Sequence, residues 1–196
     1  LLAATAPAAV VYEQPPVSWS HHTNNYNLIA DDFTLDQTTA ISSVSWWGKY
    51  DTTDTYEIIF YISEYDSDND NHEPGNSIAS FTKAVTKTGY EDEDHFIFNA
   101  DINFTAQAGQ TYWMSIAPVE ASGWTGWRPA SSPDTQYFEQ YCRFVGSDWE
   151  PYTTDPDYHH DLAFQLTGSA VPVPGGLWLL GSGLVGISAL RRRRVF

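Results

Sequence analysis

One cysteine, Cys142, stands in 196 residues. It excludes an internal disulfide framework and any zinc site built on cysteine pairs. Stretches rich in Ala, Leu, Lys and Glu, the good helix formers, are also scarce between the two ends. Basic residues are few, nine Lys and Arg against 25 Asp and Glu, for a formal net charge of −16. Four of the nine form one block, Arg191 to Arg194, which leaves Lys49, Lys83, Lys87, Arg128 and Arg143 for the rest. So acidic a body repels phosphate backbones, which argues against nucleic acid as a partner. It attracts cations, calcium among them. No GxSxG elbow, HExxH, P-loop or GxGxxG is present, and the expectation is a protein that is not an enzyme. Plentiful Asp and Glu leave a glycosidase-like carboxylate pair as an open alternative.

What is there favours strands. Aromatics make up 15% of the chain, and Thr, Ser, Tyr, Trp, Phe and Ile dominate its middle. Tyr56 to Ser63 carries the strongest pattern. Tyr56, Ile58, Phe60 and Ile62 share one face at period two, while Ile59 and Tyr61 thicken the other, so this strand is expected to be central and covered on both sides. Asn27 to Leu35 alternates imperfectly. Ile41 to Tyr50 places Val44, Trp46 and Gly48 on one face. Further strands are expected over Ile78 to Thr86, His95 to Phe98, Thr111 to Pro118, Gln136 to Phe144 and Asp161 to Thr167, the last with Leu162, Phe164 and Leu166 on one side. Turn-rich separators lie at 51–54, 66–75, 89–94, 108–110, 123–133 and 146–156. The expected fold class is all-β, an antiparallel β-sandwich of jelly-roll-like outline over 11–168.

The ends read differently. Residues 1–10, small and apolar, read as the remnant of a signal peptide. Residues 169–174 form a linker with a Pro motif. From Gly175 to Leu190 the chain carries no charge, and then come four arginines. As a helix those residues would span roughly 24 Å, short against a hydrocarbon core of about 30 Å, a gap that snorkelling arginines and local thinning can cover. One C-terminal transmembrane helix with its basic cluster is therefore expected over 175–196, the arginines on the cytoplasmic side and the body outside.

Val171, Pro172, Val173 and Pro174, the run Trp178 to Leu184, and Arg191, Arg192, Arg193 and Arg194 together resemble the PEP-CTERM sorting signal of Gram-negative bacteria. The resemblance covers the tail alone, and Val173 stands where the family name has Glu. It implies an exosortase as partner, cleavage near the Pro motif after a period at the inner membrane, and delivery to the cell surface or to extracellular polysaccharide. In the body, Ala30 to Leu35, Val44 to Tyr50, Tyr56 to Ser63, Pro74-Gly75, Tyr112 to Ala117 and Asp161 to Phe164 resemble a β-sandwich domain recurrent in exported bacterial proteins with this tail. That resemblance supplies no catalytic residues.

Three constellations are candidate sites. Asp66, Asp68 and Asp70 match the opening of an EF-hand loop, but Asn71 replaces the required Gly and Ser77 the closing Glu. The loop is either a looser calcium site or a solvated hairpin; Glu91 to Asp94 poses the same choice. The pairs His21-His22 and His159-His160 would make a zinc or copper site only if they met in space. Trp47, Trp124, Trp127 and Arg128 have the chemistry of a glycan platform, with aromatic planes for sugar C–H faces and a cation for hydroxyls. The alternative is that these tryptophans, with Trp46 and Trp113, fill the core. The leading expectation is a non-catalytic exported surface or extracellular-matrix protein associated with exopolysaccharide. A carbohydrate-binding module and a glycan-active hydrolase are the alternatives.

Overall fold

Eight of the twelve steps between successive described strands carry the chain from one sheet to the other. A computed structural model describes residues 7–16, 22–24, 27–49, 54–66, 71–90, 92–119, 125–128, 130, 141–144, 148–151 and 161–172. Among them are thirteen strands: β1 (Ala9–Gln14), β2 (His22–Asn24), β3 (Asn27–Thr34), β4 (Thr39–Lys49), β5 (Thr55–Asp66), β6 (Asn71–Ala84), β7 (Thr86–Tyr90), β8 (Asp92–Ala106), β9 (Thr111–Pro118), β10 (Thr125–Trp127), β11 (Tyr141–Phe144), β12 (Glu150–Pro151) and β13 (Phe164–Ala170). A seven-stranded sheet runs β1-β13-β4-β10-β2, with β8 on β4 and β7 on β8; a six-stranded sheet runs β12-β11-β3-β9-β5-β6. All pairings are antiparallel, and one core cluster draws residues from both sheets. The fold is a β-sandwich, as the strand pattern predicts. Residues Ala6–Ala170 hold together as one unit. The helix expected over 175–196 lies outside the described residues, and among these no helix is long and apolar enough to cross a membrane.

The core follows from period-two rows. On β5, Tyr56, Ile58 and Phe60 point inward, while Ile59 and Tyr61 pack on the outer face around Ala30 and Trp113. On β8, Phe98, Ala100, Ile102, Phe104 and Ala106 face in, and Asp101, Asn103 and Thr105 face water. Phe60 stacks on Phe104 at 4.2 Å between centroids, and Trp46 on Phe98 at 5.3 Å; such pairs add about 1 kcal/mol beyond their burial. β4 keeps both Ile41 and Val44 inward although three positions separate them. The register against β13 slips between Thr167 and Gly168, leaving Ser42 as an extra residue whose hydroxyl donates to Thr167 O at 3.2 Å.

Several boundaries differ from the sequence expectation. Ala9 and Val10 belong to β1, where Ala9 faces Gly168, so the stretch read as signal remnant overlaps a paired strand. β13 runs on to Ala170, into the stretch read as linker. The turn expected at 89–94 is mostly strand: β7 and β8 pair up to Tyr90 and Asp92. The strand expected over Ile78 to Thr86 changes sheets at Val85, whose N–H donates to Asp54 O at 2.9 Å. Between β8 and β9 the chain turns at Gly109, whose φ of 70° is a conformation that side chains with a Cβ resist.

Candidate functional site

The inward row of β3 reads Ile29, Asp31, Phe33, Leu35, so a carboxylate occupies a core position and is 0% exposed. Burying it requires donors. Asp31 Oδ1 accepts the Asp32 N–H at 3.0 Å, and Oδ2 accepts the Leu162 N–H at 2.6 Å. Gln14, from the end of β1, completes the set. With its amide nitrogen toward Leu162 O (2.7 Å) and Asp31 Oδ2 (3.0 Å), its oxygen accepts the Tyr12 hydroxyl at 2.8 Å; the opposite orientation would set oxygen against oxygen at both places. The Tyr12 ring stacks on Phe164 at 5.3 Å and leans on Phe33 at 5.9 Å. One carboxylate thus joins β1 and the segment before β13, in one sheet, to β3 in the other.

The joint sits where the seven-stranded sheet forks. β8 lines one edge of β4 along its whole length, so β13 and β10 share the other, β13 up to Trp46 and β10 at Gly48 and Lys49. The split would strand backbone groups in the interior. Instead Trp47 donates to Ala163 O (3.3 Å), Arg128 to Trp47 O (2.9 Å), Ala163 to Arg128 O (2.7 Å) and Ala130 to Asp161 O (2.6 Å). Trp127 Nε1 also donates to Ala163 O, at 2.8 Å. The segment Asp161 to Ala163 is therefore held from both sides, by the fork and by Asp31.

Burial, first, and then the neighbouring Asp161 and Asp32 hold the Asp31 carboxyl well above the usual aspartate range, against the pull of the Leu162 and Asp32 N–H groups. The Tyr12 phenol is pushed up by burial and then by Asp31, Asp32 and Asp161, with the Gln14 hydrogen bond opposing. Perturbed carboxyls of this kind also mark catalytic acids. Here both oxygens are engaged by donors and no solvent reaches the side chain, so the arrangement fastens segments together and presents no reacting group. Among the described residues no group of three or more His, Cys, Asp or Glu stands placed to hold a metal ion.

No protein-family model matches the chain, and no curated protein matches it.

The residues singled out in the sequence fall as follows. Trp47, Trp127 and Arg128 are buried, at 8%, 3% and 2% exposed. They line the interior of the fork and form no solvent-facing platform; Trp124 lies outside the described residues. Trp46 and Trp113 are core residues, with Trp113 fully enclosed on the outer face beside Tyr61 and Ser115. Asp66 closes the β5–β6 hairpin opposite Asn71, while its side chain and Asp68 and Asp70 lie outside the described residues. So do His21, His159, His160 and Glu91; His22 and Asp92 to Asp94 are described by their backbone alone, as strand. Val171 and Pro172 are exposed, and Val173, Pro174 and Arg191 to Arg194 lie outside. The Asp31, Gln14, Tyr12 and Asp161 group went unread. Its one sequence signal is the imperfect alternation of β3, where an acid takes an inward place.

Proposed function

We propose that the chain is a non-catalytic exported surface or extracellular-matrix protein. Its sandwich, jelly-roll-like in the way successive strands alternate between sheets, is delivered by a PEP-CTERM-type tail. The supporting observation is the succession at the end of the body: strand pairing runs to Ala170, opposite Thr39, and the exposed Val171-Pro172 opens the Pro motif, uncharged run and arginine block directly after it. In this reading the run 175–190 spans the inner membrane as a helix during transit, the arginines stay in the cytoplasm, and an exosortase cuts near Pro174. The acidic body, outside, associates with exopolysaccharide. The carboxylate group around Asp31 fits a structural part in such a protein, since it has no path for substrate. The burial of Trp47, Trp127 and Arg128 gives no support to a tryptophan-based carbohydrate-binding module.

The test is expression, with a tag in the body, in a Gram-negative host with and without its exosortase. Mass spectrometry of the surface fraction should find chains lacking Arg191 to Arg194 only where the exosortase is present. Recovery of intact tails at equal abundance in both strains overturns the sorting reading.

A further inference from the structure

The joint between the sheets concentrates acid where charge is hardest to hold. Asp31 lies wholly inside, in a row with Ile29, Phe33 and Leu35, and two further acids act on it: Asp161, which precedes the Leu162 N–H that binds it, and its chain neighbour Asp32. In such a place a second full negative charge is disfavoured and a bound proton is favoured. We propose that this clasp is a proton-responsive joint: a proton taken into the Asp31, Asp32 and Asp161 group relieves the cost of holding buried charge there and stabilises the joined state of β3, β1 and the Leu162 segment, and its loss destabilises that state.

The geometry specifies what would move. Among the described residues β1 is an edge strand, with β13 as its one neighbouring strand. Its register slips between Val10 and Tyr12, and Val10 is 52% exposed. The inner end of β1 is fastened by Gln14 and Tyr12, both in the hydrogen-bond chain that ends on Asp31. The segment before β13 is fastened to the same carboxylate through Leu162 N–H. A change in the charge of Asp31 therefore reaches both segments through groups in direct contact with it. Among the described residues, the titratable groups facing Asp31 are Tyr12 from β1, Asp32 from β3 itself and Asp161 from the segment before β13. The Tyr12 phenol is displaced upward, away from the neutral range, so the carboxyls set the response.

The sign follows from linkage. The folded chain binds the Asp31 proton more tightly than the unfolded chain. The stabilisation is therefore complete below the ordinary aspartate value of about 3.9 and is lost as pH rises through the folded-state value.

Three measurements test the proposal on the intact chain. The first is a carbon NMR titration of the Asp31 side-chain carboxyl. It should titrate well above a model-peptide aspartate; titration at the model-peptide value overturns the proposal. The second is thermal melting from pH 4.5 to 8 in high salt, which screens the global charge. The wild-type Tm should fall across that range. Asp161→Asn removes a charge that acts on Asp31 and leaves the Leu162 and Gln14 hydrogen bonds in place, and it should reduce the fall without abolishing it, since burial is the larger cause. Asp101→Asn, at an exposed position on β8, should leave it unchanged. An Asp161→Asn protein that keeps the full wild-type fall overturns the proposal, as does a flat wild-type profile. Amide exchange gives the local reading: protection at Gln14 and Leu162, corrected for intrinsic rates, should drop with rising pH while that of Ser115 holds. Equal behaviour at all three sites overturns it.

Discussion

β3 buries polar groups on both of its faces, and the two faces solve the problem differently. Outside, Ala30 packs with Tyr61 and Trp113, and the Tyr61 hydroxyl and Ser115 Oγ, 3.2 Å apart with both residues buried, form a neutral pair, while Asp32 on this side of β3 is only part-buried. Inside, one residue along, Asp31 takes three donors from three segments. A neutral pair satisfies itself locally and holds two adjacent strands, β5 and β9. A carboxylate has acceptor capacity for several donors at once, so it can gather remote segments, but its desolvation makes that hold depend on pH. The outer face should thus behave as ordinary packing and the inner one as a titratable joint.

The sharpest way to break the comparison is to remove one anchor from each face. Trp113→Ala empties a large, fully enclosed site and should cost about 4 kcal/mol, equal at pH 4.5 and pH 8. Asp31→Ala leaves the Leu162 and Asp32 N–H groups and the Gln14 amide without their acceptor, and should cost about 3 kcal/mol. Its cost should be greater at pH 4.5 than at pH 8, because the raised folded-state pKa makes the Asp31 contribution complete at low pH and smaller as pH rises. Urea unfolding at the two pH values measures both. If the two variants show the same pH profile, the inner joint is no different in kind from the outer packing.

The two faces were also unequally legible in sequence. Rows of apolar residues at period two announced β5, β9 over Thr111–Pro118 and the inward set Leu162, Phe164 and Leu166, all of which lie in the core. The same rule extends β8 to Ala106 through Ala100, Ile102 and Phe104. The expected strand ends at Phe98, whereas the intervening Asp101 and Asn103 are the solvent row of a half-exposed strand that continues past it. Trp46 and Trp47 were expected on opposite faces, one buried and one available. Both are buried, Trp46 in the core cluster between the sheets and Trp47 outside it, and period two shows which residues share a face but not whether the second face is covered. Asp31 shows the limit most clearly. Its inward place is visible as a flaw in the alternation of Asn27 to Leu35. Its chief donor, however, is a backbone N–H 131 residues away, and a backbone donor leaves no mark on the identity of Leu162.

A third variant probes the hold on β13 without touching any titratable group. A Cβ on Gly168 would lie 2.5 Å from the Ala40 carbonyl oxygen and 3.0 Å from the Ile41 Cα, both backbone atoms of β4. Gly168 also sits opposite Ala9 of β1 and beside the register slip against β4. The strands must part to admit a methyl group there, so Gly168→Ala should cost about 2 kcal/mol. It loosens the same strands that Asp31 fastens, by sterics alone, and the loss should be equal at both pH values. A pH-dependent loss would mean that strain at β13 reaches the carboxylates.

The smallest expected effect is the most discriminating for the outer face. Tyr61→Phe removes one hydroxyl and keeps the ring, which contacts Trp149 edge-on at 5.3 Å between centroids and packs with Trp113. On that face Ser115 Oγ loses this partner. A neutral hydrogen bond between buried hydroxyls contributes about 1 kcal/mol, so the urea midpoint should shift slightly and the unfolding slope not at all. The shift should be identical at pH 4.5 and pH 8. Should Tyr61→Phe instead cost as much as Asp31→Ala, the hydroxyl would be carrying a network rather than a pair. The contrast between a local neutral bond outside and a many-armed charged one inside would then give way to two joints of equal reach.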